Sequence, residues 1–218
     1  MGKADGRTNR LLGLDWLPPA FPLMGGEEEA ARPAAGRQSL EVHLIALGTT
    51  PPEWLAALAA GLRRAAGWDC ARRSEVRDLS FALLASRGQF YSTAILARLE
   101  EEHARLKSWR GRPVVLGVAD VDLSLPIFTF VFGEARDNGP CAVISGHRLR
   151  QEFYGLPPDR PLFEERLLKM AVHELGHTLG LRHCAGYRCV MATSYSIERL
   201  DLKSLEFCAA CKAQLASP

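Results

Sequence analysis

The chain has 218 residues, a formal net charge of +2, 47% hydrophobic and 24% charged residues, and six cysteines. That length suits one ordinary domain or two small ones, and the apolar share can build a core, which excludes global disorder. A charge of +2 without a basic run gives no long-range pull on nucleic acid or anionic lipid, and no apolar stretch of about 18 residues offers a membrane span.

Residues Met1 to Gln38 read as a loose extension, since ten of these 38 are Gly or Pro. Within it Leu11, Leu12, Leu14, Trp16, Leu17, Phe21 and Leu23 form an apolar island that packs on the domain surface. A sharper alternative lays the island over an active cleft, with Asp15 as an inhibitory ligand. Lys3 and Arg7 precede the island, but Asp15, Pro18, Pro19 and Pro22 interrupt it and no small-residue cleavage site follows. This argues against a secretory signal and for a soluble, cytoplasmic protein.

From Ser39 to Pro218 the chain reads as one domain of alternating strands and helices. Leu40 to Leu47 (LEVHLIAL) is a short apolar run rich in strand formers, expected as a buried strand. Thr50, Pro51 and Glu53 then spell a helix start, with threonine as cap and proline at the first helical position. Trp54, Leu55, Leu58 and Leu62 recur at helical spacing, and Gly67 ends the run. A second helix is expected from Ser92 to Leu106 on the stripe Ile95, Leu96 and Leu99. Three strands should follow, at Pro113 to Val118, Ile127 to Phe132 and Cys141 to Ser145. The turn-rich GEARDNGP between the last two is short enough for a hairpin, so one strand can run antiparallel. The pattern is that of a mixed α/β (α+β) sheet with helices packed against it.

Pro161 opens a helix through LFEERLLKMAVHELGHTLG. At about 100° per residue, Leu168, Val172, Leu175 and Leu179 fall within roughly 60° of one another. His173 and His177 lie about 40° apart on the opposite side, close enough for two imidazoles to share one zinc ion. Glu174 stands between them. A carboxylate beside zinc can take the proton of a water that the metal has made acidic, which is the equipment for hydrolysing an amide.

The HExxH pattern continues as HELGHTLGLRH. Gly180 can adopt the left-handed conformation that stops a helix and turns the chain, which allows His183 to return as a third ligand. Five fixed residues at this spacing occur by chance in roughly three chains in a hundred thousand of this composition.

Four of the six cysteines fall in the last 35 residues as C-x4-C (Cys184, Cys189) and C-x2-C (Cys208, Cys211), while Cys70 and Cys141 stand alone. In a reducing compartment such pairs favour metal ligation over disulfides. Four thiolates close a tetrahedron, so that metal is structural, and it can supply the stability that so short a segment lacks. His183 and Cys184 are neighbours, so the two sites share a junction.

HExxHxxGxxH followed by a methionine turn is the signature of metzincin zinc peptidases. With Cys184 directly after His183, then Cys189, Val190, Met191 and the distal Cys208 and Cys211, the chain resembles the archaemetzincin family. RGQFYSTAIL, VLGVADVDL and FVFGEA also resemble it, so the similarity runs from about Ser39 to Leu215. The resemblance implies a compact metzincin-like domain with a small C-terminal zinc-knuckle subdomain at residues 184–218. It implies a catalytic zinc on His173, His177 and His183 with Glu174 as base, a second zinc on Cys184, Cys189, Cys208 and Cys211, and Met191 as an apolar floor beneath the imidazoles.

Tyr195 and Tyr187 are candidates to hydrogen-bond the tetrahedral oxyanion. Asp201 is expected to cap a short final helix, and His43, His103 and His147 are read as structural. An extended peptide could pair with an open sheet edge, for which Ile127 to Phe132 is the candidate. The expected function is a monomeric zinc metallopeptidase acting on small peptides or peptide N-termini, with no nucleic-acid or membrane partner. The rival is a weak or inactive zinc protein serving as a binding module.

Overall fold

The computed structural model describes residues 40–106 and 113–216, apart from the side chain of Ser74. Residues 1–38, with Asp15, lie outside the described residues.

The first strand, β1 (Glu41–Leu47), is buried along nearly its whole length because it has neighbours on both sides. Helix α1 (Pro52–Ala66) follows, and then strand β2 (Asp69–Val76). The sheet is completed by β5 (Val114–Ala119), β7 (Gly133–Ala135) and β8 (Cys141–Ser145), in the order β2-β1-β5-β8-β7. Its pairings are parallel except β7 with β8. A small second sheet joins β3 (Leu83–Leu84), β4 (Gln89–Tyr91) and β6 (Leu123–Ser124).

Strand alternation divides the core into two layers. Val42, Leu44, Leu116, Val118 and Ile144 face α1 and the long helix α3 (Arg160–Thr178). Ile45, Leu47, Val115 and Val143 face α2 (Ser92–Arg105), whose Ile95, Leu96 and Leu99 are fully buried as their spacing predicts. After α3 the chain contributes only α4 (Ile197–Asp201) and α5 (Ala209–Ala216), joined by turns. No helix among the described residues is long and apolar enough to cross a membrane.

Some expectations need correction. Pro51, not Thr50, holds the cap position of α1, and the Thr50 hydroxyl instead donates to the carbonyls of Leu47 and Val118. It ties the end of β1 to its neighbour β5. Residues 127–132 form turns with one isolated bridge from Val131 to Leu123, and the edge strand begins one residue later at Gly133. The hairpin is present, but GEA of the supposed turn is its first strand. Asp201 ends α4 rather than capping a helix, and its carboxylate takes both arms of the Arg166 guanidinium at 2.7 and 2.6 Å. Ser196 is the cap of α4.

Candidate active site and metal centres

Helix α3 starts under control of Asp159, whose carboxylate accepts from the Leu162 N–H, with proline in the first turn. Leu168, Val172, Leu175 and Leu179 pack toward α1 and the sheet. The opposite side is also covered, by the segment after residue 183, so His173 and Glu174 are each only 5% exposed. Met191 approaches α3 so closely at Gly176 that a Cβ there would stand 2.4 Å from its sulfur and would have to displace it. Gly180 then turns the chain at φ +87°, a left-handed value that a side chain would strain, and the Leu181 N–H returns to the Gly176 carbonyl.

This turn and the one carrying Met191 aim the imidazoles. His173 donates from Nδ1 to the Val190 carbonyl at 2.7 Å, and His177 donates from Nδ1 to the Leu181 carbonyl at 2.8 Å. With each Nδ1 carrying the proton, each Nε2 presents a lone pair. The two Nε2 atoms are 3.3 Å apart. Two nitrogens on a tetrahedral zinc at bonds of 2.0 to 2.1 Å stand about 3.3 to 3.4 Å apart, so the pair fits the ion. The His183 ring lies 5.3 Å from that of His173 and 4.9 Å from that of His177, and one nitrogen of each falls within a common 4.8 Å. Burial, followed by the Lys203 charge, holds His173 well below the usual imidazole range; burial and His177 pull His183 down. Neutral rings are what a metal ion requires.

Glu174 is enclosed under the edge strand. Burial raises its carboxyl to about 8, opposed by Lys203 and reinforced by Glu134 and Asp137. The edge strand is fixed from two sides. Glu134 accepts from the Ser92 and Thr93 hydroxyls at the start of α2, and the Asn138 N–H at the hairpin tip donates to the His177 carbonyl. A cleft of about 700 Å³ runs over the imidazoles, between this strand, the 125–132 loop and residues 193–195. Arg87 and Gln89 hold the loop by its Thr129 carbonyl, and Arg148 stacks on Phe130 at 4.2 Å. Tyr195 is 69% exposed on the cleft rim, whereas Tyr187 is outside the lining.

The four C-terminal cysteines also converge. Cys184 and Cys208 sulfurs are 3.7 Å apart, and those of Cys189 and Cys211 are 3.8 Å apart. A tetrahedral zinc with bonds of about 2.3 Å separates its sulfurs by about 3.8 Å, so this set fits as well. Gly186 and Cys208 backbone N–H groups donate to the sulfurs of Cys184 and Cys189. Bonds from Val190 N–H to the Glu206 carbonyl and from Ser204 N–H to the Arg188 carbonyl hold the two halves together. His43, His103 and His147 belong to neither group.

The profile of peptidase family M54 matches residues 76–217, well over half of the chain. The chain belongs to peptidase family M54. This is the archaemetzincin family of zinc metallopeptidases, and the fold agrees. The archaemetzincin of Methanocaldococcus jannaschii is 48% identical over 130 residues, which are 60% of this chain and 68% of that protein. The crystal structure of the Methanopyrus kandleri archaemetzincin superposes with a TM-score of 0.68 at 32% identity, covering 81% of this chain and 93% of that one. A zinc-dependent peptidase from Methanocorpusculum labreanum gives 0.74 at 27% identity, covering 80% and 99%. The M54 profile takes in α3, the methionine turn and all four clustered cysteines.

The sequence pattern brought out the seven metal-binding candidates and Glu174, but not Lys203, Glu134 or Asp137. Lys203 reads as an ordinary surface lysine, and nothing in its neighbours marks it as buried. The two acids sit in a hairpin, and only the fold shows that both border the cleft.

Proposed function

We propose that this M54 peptidase hydrolyses peptide bonds at a zinc ion held by His173, His177 and His183, with Glu174 as general base and a second, structural zinc on Cys184, Cys189, Cys208 and Cys211. The observation that carries the reading is the 3.3 Å convergence of two Nε2 atoms whose Nδ1 protons are both committed to backbone carbonyls. Zinc in that place supplies a Lewis acid that polarises a peptide carbonyl and makes water acidic near neutral pH. A divalent cation held beside it would favour the ionised form of the Glu174 carboxyl. It then accepts the proton of the attacking water and returns it to the leaving amine.

Among the described residues β7 pairs only with β8, which leaves its outer edge for an extended peptide to pair with by main-chain hydrogen bonds. A peptide antiparallel to β7 points its N-terminus past Ala135 toward Asp137, whose 84% exposed carboxylate suits a free amine. This favours short peptides or N-termini as substrates, bound by a monomer. Four unbridged thiols in one cluster suit the reducing cytoplasm. The deciding experiment is a peptide-library digest with the parent and Glu174→Ala side by side. New termini should appear only with the parent, and identical product patterns would end the assignment.

A further inference from the structure

Lys203 is the one buried lysine whose ammonium reaches a candidate metal ligand among the described residues. It is 3% exposed, and its Nζ lies 3.1 Å from the Val190 carbonyl oxygen and 3.5 Å from His173 Nδ1. Its backbone is pinned from both sides, because the Lys203 N–H donates to the Leu200 carbonyl and the next residue's N–H to that of Arg188. The side chain is thereby directed inward, underneath the methionine turn. Lysines are almost never buried unpaired, and no carboxylate among the described residues forms a salt bridge with this one. Burial pulls its ammonium down to about 8, and Glu174 on the imidazole side and Cys189 on the cysteine side act against that fall. The other buried lysine, Lys169, is already engaged by Glu165 at 2.7 Å.

Two features give this cation a task. Four thiolates around one divalent ion leave a net charge of about −2, which in a water-poor interior favours a cation nearby. The Val190 carbonyl also accepts from both His173 and Lys203, so the group that orients the ring is gripped from two directions. Cys189 and Val190 are consecutive, so adjacent residues carry a sulfur toward one site and this carbonyl toward the other.

We propose that Lys203 is a positioning residue shared by both metal sites, balancing the charge of the four-cysteine site and, through the Val190 carbonyl, holding His173 in its ligating orientation. This rests on the two-metal reading above. Partners in contact with a ligand rather than with the metal commonly change metal affinity by about 10- to 100-fold.

The test uses the full chain loaded with cobalt, whose thiolate charge-transfer bands report the cysteine site and whose weaker visible bands report the histidine site. Release into excess chelator is followed in the parent, Lys203→Met and Lys203→Arg. Lys203→Met should lose metal about tenfold faster or more from both sites, and Lys203→Arg should stay within about threefold of the parent. Parental release from either site in Lys203→Met, with only a lower Tm, would overturn the proposal and leave Lys203 a plain packing residue. Should Lys203→Met not fold, Lys203→Gln decides, because it keeps a donor for the carbonyl and drops the charge. Faster release from the cysteine site then supports the proposal and parental release refutes it. A parent that binds fewer than two metals overturns the two-site reading together with the proposal, whereas two metals with unchanged release overturns the proposal alone.

Discussion

Gly133 lies against Glu174: a Cβ built on the glycine would stand 2.8 Å from the Glu174 Oε1 and 2.8 Å from the Val143 carbonyl oxygen. The backbone carbonyl cannot yield, so any side chain at this position must displace the carboxylate or the edge strand. Gly133→Ala should therefore lower kcat by about tenfold or more, the scale expected when a general base is misplaced. The imidazoles do not touch this glycine, so metal content should stay at the parental level. Loss of metal along with activity would show that the strand supports the ligands instead.

The histidine and cysteine clusters are joined by main-chain bonds as well as by adjacent residues. The Cys184 N–H donates to the Met191 carbonyl at 2.9 Å, and the Val190 N–H to the Glu206 carbonyl at 3.0 Å. Opening the cysteine cluster releases the turn on which His173 and His183 depend. Cys208→Ser should thus weaken metal binding at the histidines by about tenfold, although Cys208 does not reach them. Equal retention of the histidine-bound metal by mutant and parent, measured by chelator competition, would refute this coupling.

How much of this could be read beforehand follows from where the physics is local. The meeting of His173 and His177 on α3 was legible because helical periodicity alone places them together, and the return of His183 because Gly180 announces its own turn. Strand β2 was missed because DCARRSEV, an edge strand bonded among the described residues only to β1, lacks a continuous apolar run. Ile127 to Phe132 was expected as a strand, yet the order of this segment comes from Arg87 and Gln89 gripping its carbonyls some 40 residues away in sequence. Contacts of that kind leave no periodic trace. The burial of Lys203 is of the same sort, since it depends on the path of a segment held by the cysteines.

Asp122 offers a test by pH. Its carboxylate receives both arms of Arg148 at 2.6 and 2.7 Å and the Gln89 amide at 2.9 Å. Burial acts to raise the carboxyl, but these hydrogen bonds and the Arg148 charge outweigh it and hold the group below its usual value. A carboxyl depressed in the folded state contributes stability above its unfolded pKa of about 3.9 and loses it as pH falls toward the folded value. Asp122→Asn should cost about 1–2 kcal/mol at neutral pH, as for a partly exposed charge-assisted pair. The Tm gap between mutant and parent should narrow progressively below about pH 4. A gap independent of pH would mean that packing of Arg148 between Phe130 and Phe153, not the charge, is what the mutation removes.

Asp137 separates trimming of N-termini from internal cleavage. It borders the cleft, its Oδ1 is 3.9 Å from His177 Nδ1, and 84% of its side chain faces solvent. An ammonium bound there keeps much of its hydration, so the contact should contribute about 1 kcal/mol or less. Asp137→Asn should then raise KM by no more than about fivefold for peptides with a free amine, with kcat nearly unchanged. Peptides acetylated at the N-terminus should be poorer substrates for the parent and should not distinguish it from the mutant. Equal cleavage of free and acetylated peptides by the parent would instead place the scissile bond within longer chains and remove any role for Asp137.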